Sequence, residues 1–491
     1  MLRRTRPALA GMLSAALGVA AAELLAAATR PAAGPLVAVG GAVIDATPTP
    51  VKEFAVRTLG THDKPVLLGS IVLVLLLFTA VVGILAARRR WVAVAGAAIF
   101  GVAGAAAALS RPAAIAYDAV PSLLGAAIAG TVLLIWAPAA PAPPGRRRFL
   151  RTALLVAGGT VVAGAAAETV KRIKGGAVAQ SREAITLPAA ADPAKPLPSG
   201  IAPGFYSDKL YRVDTALTVP RIDAGGWRLK IHGMVRDEVS LSLADLLERP
   251  LIERDITLNC VSNEVGGPYI GTARWLGVPL APLLAEVGVD AAADQIVARS
   301  AEGMTIGTPL ATALDGRDTM LCVGMNGEPL QLEHGFPVRM LTPGLYGYAG
   351  ACKWVTELEL TTFADFDAYW VRRGWAANGP VRTASRIDRP QPFARPAAGK
   401  VTVAGVAWAQ GRGIRTVEVR VDDRPWRKAE LLPVPSSDTW VQWRHEWDAT
   451  PGPHTLSVRA TDGTGDVQTE QRATPYPSGA TGWHSVTVTV E

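Results

Sequence analysis

The first chemical signal in this sequence is a cysteine. Cys260 ends the apolar run IERDITLNC (Ile252–Cys260) and opens a loop of small and polar residues, VSNEVGGPYIG. A strand ending there presents its sulfur at a domain edge, where a thiolate is a soft ligand for a soft or redox-active metal. Taken alone, a free cysteine is more often a buried small hydrophobe. Cys322, inside the apolar TMLCVG, reads that way. Three cysteines cannot build a disulfide framework, and no CxxC, CxxCH or zinc-type Cys/His spacing occurs.

The elements that must carry Cys260 follow from composition and pattern. The 491 residues correspond to roughly three domains. Hydrophobic residues make up 49% and charged residues 19% of the chain, which is rich for a purely soluble protein. The net charge of +7 sits largely in arginine clusters that flank apolar segments, so it reads as a membrane signature and not as nucleic-acid binding.

Residues 1–170 are predicted to form an all-α transmembrane bundle. Val66–Ala87 carries no charge and is long enough to cross a hydrocarbon core of ~30 Å. Four Ala- and Gly-rich candidates surround it: Ala8–Thr29, Trp91–Leu109, Ala113–Trp136 and Thr152–Ala167. Arg3, Arg4 and Arg6, Arg88–Arg90, and Arg146–Arg148 with Arg151 should lie in the cytoplasm. Five spans then put the N-terminus inside and everything after about Lys171 on the extracytoplasmic side. The run RRRFLRTALLVAGG is read either as a twin-arginine export signal or as an ordinary positively charged flank. Glu23 and Asp118 fall within or near spans, where carboxylates are functional candidates, although a boundary position is the blander reading.

Residues 171–204 read as a Pro/Ala/Gly-rich extended linker. Residues 205–365 mix short strands and helices, as an α+β domain does. Predicted strands are Trp227–Met234, Ile252–Cys260, Gln295–Ala298 and Thr319–Val323. Predicted helices are Leu241–Leu247, capped by Ser242, and Leu276–Val287. Residues 366–491 alternate strongly in four segments, Lys400–Val406, Thr416–Val421, His454–Ala460 and Ser485–Val490, which predicts an Ig-like β-sandwich.

Three stretches in register change the weight on Cys260. LNCVSNEVGGPYIGTARWLGVPL, MNGEPLQLEHGFPVRMLTPGLYGYAGACKW and the Trp-rich sandwich together resemble the sulfite oxidase family of molybdopterin enzymes, over about Phe205 to Glu491. The resemblance implies a Mo-molybdopterin cofactor with Cys260 as the thiolate ligand of the metal. It implies cofactor contacts from His334 and Arg339 in HGFPVR, and from Cys352 and Lys353 in GACKW. Arg212, Asp214 and Thr215 in FYSDKLYRVDTALTVP should approach the cofactor, and Glu302 stands where the family has an aspartate. Such a set of cations suits a phosphate and an amide-rich ring.

Trp375, following Arg372 and Arg373, replaces the active-site tyrosine of the sulfite-oxidising branch, and Trp375 and Arg372 are the further catalytic candidates. Trp275 and Tyr346 are candidates to line the pocket. Departures from that branch are as informative. Its Arg-Asn-His reads approximately Val213-Asp214-Thr215 here, the arginine after the metal cysteine is Val265, and a third arginine falls around Ser478. Desolvating a dianion without guanidinium partners is costly, so the expected substrate is less charged or bulkier than sulfite.

The implied activity is two-electron oxygen-atom transfer, in the oxidising direction or as a sulfoxide or N-oxide reductase. Only His62 among the six histidines precedes residue 200, so no histidine pair is available in the spans for a b-type haem. Electrons are expected to pass to or from a separate redox protein or a quinone. A sandwich of this kind implies a homodimer. The rival of another class is a metal-free, membrane-tethered sandwich that binds or scaffolds.

Overall fold

The computed structural model describes residues 2–59, 62–136 and 146–491. Residues 1, 60–61 and 137–145 of the predicted bundle lie outside the described residues. The chain divides into two compact units: Met1–Ala179 with Ala216–Arg221, and Gln180–Thr215 with Ile222–Glu491.

Among the described residues, five helices are long and apolar enough to cross a membrane: Thr5–Ala28, Asp63–Ala86, Trp91–Leu109, Ala116–Trp136 and Arg147–Glu183. Small residues let their axes approach closely. A Cβ on Gly18 would collide with the Gly125 carbonyl, and one on Gly83 with that of Pro7. The segment between the first two contains helices at Pro35–Ala46 and Thr49–Leu59. Both carboxylates singled out in the sequence are paired. Glu23 accepts from the Leu36 amide at 3.2 Å and lies 3.6 Å from Lys171, and Asp118 lies 3.2 Å from Arg30.

The predicted linker needs correction. Its first residues continue the helix Arg146–Glu183, because AETVKRIKGGAVAQSRE contains good helix formers and no proline. The following Pro-rich stretch is not a loose tether. The Ala191 and Asp192 amides donate to the Leu251 carbonyl, and the Glu253 amide donates to Asp192 O, so extended backbone is laid along a strand edge.

The second unit holds ten strands before residue 366: β1 Arg228–Gly233, β2 Val239–Ser242, β3 Ile252–Asn259, β4 Ile270–Pro279, β5 Gln295–Ser300, β6 Thr305–Pro309, β7 Met320–Met325, β8 Glu328–Pro329, β9 Arg339–Leu341 and β10 Val355–Thr361. One sheet runs β2-β1-β10-β5-β6. The other runs β3-β4-β7-β8, with β9 paired to β7. Ser242 caps Leu243–Leu247 as expected, accepting from the Asp245 amide at 3.2 Å, an arrangement worth ~1 kcal/mol. The predicted helix Leu276–Val287 begins only at Leu280, since its first residues belong to β4.

Beyond these lie β11 Ala384–Arg389, β12 Gly399–Trp408, β13 Ile414–Val421, β14 Arg427–Lys428, β15 Glu430–Leu431, β16 Val441–Ala449, β17 Gly452–Asp462 and β18 His484–Val490. They form two sheets, β11-β12-β16-β15 and β14-β13-β17-β18. Val403, Trp443 and Trp447 of one and Val419, Leu456, Val458 and Val488 of the other share a single core.

Candidate active site

Cys260 follows the last residue of β3 and stays partly exposed, as a strand-end position predicts. The loop after it is closed by its own polar groups. The Cys260 amide donates to Tyr269 O at 2.9 Å, the Asn263 amide to Cys260 O at 3.0 Å, and the Tyr269 amide to Asn263 Oδ1 at 2.8 Å. Cys260 Sγ lies 2.9 Å from Ser262 Oγ. Burial pushes the thiol up, while the Ser262 hydroxyl and amide and the Lys353 ammonium pull the other way. A sulfur so placed is ready to be ionised by a bound cation.

The cationic side of the site is assembled from distant segments. His334 ends a short 3₁₀ turn, Arg339 opens β9, and Lys353 precedes β10. Gly335 makes the link at a positive φ of 111°. A Cβ there would meet Arg339 Cβ at 3.0 Å and Lys353 Cβ at 3.2 Å, so only glycine fits. Next to Lys353, the fully buried Trp354 takes φ 52° and donates its indole N–H to Leu332 O at 2.7 Å. Left-handed backbone at a bulky residue is costly and persists only where its surroundings over-determine it.

Arg339 is 5% exposed, stacks 5.0 Å above the Trp275 ring, and donates to His334 O at 3.3 Å. Its Nε has no protein partner. Burial pulls the guanidinium down. Burial also takes His334 down to about 4, helped by Arg339 and Lys353, so this imidazole is neutral at ordinary pH. Lys353 Nζ donates to Asp214 Oδ2 at 2.7 Å and to Glu333 O at 3.2 Å. Burial holds it at about 8 despite that carboxylate. Arg212 Nε reaches the same Asp214 oxygen at 2.9 Å, and Thr215 Oγ1 donates to Glu302 Oε1 at 3.3 Å. Arg212, Asp214, Thr215, Glu302, Arg339 and Lys353 are thus brought together.

Other predicted residues sit differently. Cys352 is buried with Sγ 3.8 Å from Ala298 O and 3.7 Å from Lys353 O, and burial raises it to about 12. Trp375 is buried in an aromatic cluster with Val261 and Tyr346, its ring 5.8 Å from Tyr348 and 5.5 Å from Tyr476. Arg372 is exposed on the 3₁₀ turn Val371–Arg373, and none of the hydrogen bonds or ion pairs above reaches it. Trp275 is fully buried beneath Arg339, which makes it a packing surface for the guanidinium.

Three residues escaped the sequence reading. Ser262 stood in the quoted loop without a role. Tyr211, whose phenol is raised by burial and by Cys260, has its ring centroid 6.3 Å from that of Tyr269, tilted by 60°. Arg382 donates from Nη2 to Ser478 Oγ at 2.7 Å and from Nε to Ser478 O at 3.1 Å, so a guanidinium is held at Ser478. His232, Glu357 and Glu359 have metal-like spacing, but Arg299 bonds both carboxylates, at 3.0 and 2.7 Å.

These residues fit a phosphorylated, metal-bearing heterocycle: a partly exposed thiol, two buried cations, and a buried guanidinium N–H left for an acceptor. The chain is similar to several known proteins. The profile of the "Oxidoreductase molybdopterin binding domain" matches residues 216–370. Mitochondrial sulfite oxidase of Mus musculus is 32% identical over 284 residues, 48% of this chain and 51% of that protein. The uncharacterized oxidoreductase YuiH of Bacillus subtilis is 31% identical over 157 residues, 32% of this chain and 76% of the relative. Sulfane dehydrogenase SoxCD from Paracoccus pantotrophus superposes with a TM-score of 0.47 at 25% identity, covering 52% of this chain and 71% of that one. The chain spans about half the length of the curated mammalian sulfite oxidases it matches.

Proposed function

Because the chain belongs to the sulfite oxidase family of molybdopterin-dependent oxidoreductases, we propose that it is a membrane-anchored enzyme of two-electron oxygen-atom transfer, acting on a substrate other than sulfite. It is a molybdenum-dependent oxidoreductase, and its cofactor is Mo-molybdopterin. The cofactor, when bound, supplies the two-electron redox chemistry; the protein supplies binding, orientation and electrostatics.

Cys260 is the metal ligand in this reading. Arg339, with its free Nε, and Lys353 hold the pterin phosphate, while Thr215 and Glu302 face the polar ring. His334 stays neutral and offers a ring nitrogen without adding a third charge. The Ser262 hydroxyl fixes the thiol's direction. Trp375 closes the substrate side with its aromatic neighbours, and Arg372 stands at the surface. The observation that carries the reading is the buried Arg339 guanidinium, whose Nε has no protein partner, in one cluster with Lys353.

Substrate choice follows from charge. Val265 offers no positive partner, and Arg382 is committed to Ser478 by two hydrogen bonds. A dianion would be desolvated at a cost of several kcal/mol without compensation. The five apolar helices anchor the chain with its catalytic unit on the extracytoplasmic side, where a separate redox protein or a quinone exchanges electrons with it. The Ig-like sandwich is the dimerising part. Steady-state assays with artificial acceptors should give poor turnover of sulfite and better turnover of neutral sulfur or nitrogen compounds. Efficient sulfite oxidation would contradict the substrate assignment.

A further inference from the structure

Behind the Cys260 loop, a cleft of about 20 Å³ separates that loop from the sandwich, lined among others by Asn259, Val265, Tyr346, Trp408, Gln468 and Ala480. A water needs ~10–15 Å³ of such space and two to four polar partners, so the cleft has room for a single water. Its polar groups are unevenly used. Gln468 is already bonded at both ends: Oε1 accepts from Ser385 Oγ at 2.7 Å and from the Ala460 amide at 3.0 Å, and Nε2 donates to Gly482 O at 2.9 Å. Asn259 and Trp408 are each 3% exposed, yet Asn259 Oδ1 and Trp408 Nε1 have no protein partner. One is an acceptor and the other a donor. Tyr346, also 3% exposed, accepts from the Arg382 amide at 3.3 Å through its hydroxyl oxygen and keeps its own proton to give.

We infer that this cleft binds water, one molecule accepting from Trp408 Nε1–H and donating to Asn259 Oδ1, and that it links the Tyr346 hydroxyl to solvent past Ala480 as a proton exit. Water alone matches the size and the mixed donor and acceptor demand, since it offers both valences in one small molecule. The use of the site rests on the oxygen-atom-transfer reading; the water site itself does not. Oxidative transfer takes in one water, adds its oxygen to the substrate, and releases two protons and two electrons, the electrons going to the separate redox protein or quinone. Asn259 immediately precedes Cys260, so the cleft adjoins the place where those protons appear.

The test is a crystal structure of the full chain in detergent at a resolution that shows ordered water, with turnover of two variants in H₂O and D₂O. Trp408→Phe keeps a ring and removes the donor. Ala480→Leu fills the cleft from a half-buried lining position outside the strands and serves should Trp408→Phe fail to fold. The expected result is water density within hydrogen-bonding distance of both Trp408 Nε1 and Asn259 Oδ1. Its loss in the variants should accompany a several-fold slower turnover, a changed solvent isotope effect and unchanged molybdenum content. A dry cleft overturns the site. Wild-type rates and isotope effects in both variants overturn its role. A chain that lacks molybdenum altogether refutes the enzymatic reading and the proton exit with it, while the density still decides the water site.

Discussion

The Lys353 ammonium lies 2.7 Å from Asp214 Oδ2, although the residues are 139 apart in the chain. Side-chain exposures of 12% and 4% make this a buried pair, and it ties the segment before the first sheet to the turn that enters β10. Arg212 shares the same carboxylate. One aspartate therefore orders two of the cations assigned to the cofactor.

Removing that aspartate should be expensive. Breaking a buried pair from one side costs ~3 kcal/mol or more, because it strands the remaining charge. Asp214→Ala is expected to lower the thermal midpoint of the cofactor-free protein, and Asp214→Ala with Lys353→Met to recover much of the loss. Thermal melts of the three proteins check this.

Arg339 predicts effects of opposite sign. Its guanidinium is buried with an unpartnered Nε, so Arg339→Met should leave the cofactor-free protein as stable or up to ~2 kcal/mol more stable. The same substitution should sharply reduce pterin and molybdenum retention. Denaturation midpoints and metal analysis, read together, test the pair of outcomes.

Acid should act through His484. Burial, with Arg386 and Arg472 nearby, holds this imidazole at about 4, against 6.5 ordinarily, and the opposing Asp388 does not offset them. Its Nδ1 accepts from the Ile387 amide at 3.0 Å, a bond that protonation ends. The unfolded chain therefore binds one more proton than the native one between these values, and this contribution is lost as pH falls from about 6.5 to about 4. His484→Gln should flatten the stability profile across that window, measured by urea unfolding at several pH values.

Much of this was legible before the fold was known. The end of β3 at Cys260, the Ser242 cap and the four long alternating sandwich strands follow from period and capping chemistry. The strand β4 was hidden because almost every residue in it is buried, which removes the alternation that marks a half-exposed strand. The linker was misread because proline content indicates extended backbone without saying what that backbone pairs with. Ser262, Tyr211 and Arg382 could not be found by spacing, since their roles depend on what the fold places beside Cys260 or Ser478.

The most direct measurement is molybdenum content with X-ray absorption of the purified full chain beside Cys260→Ser. The account predicts a molybdenum-loaded wild type whose metal shell loses one sulfur ligand in the variant, with folding unchanged. An identical sulfur count in both proteins would contradict the assignment of Cys260 as the metal's ligand.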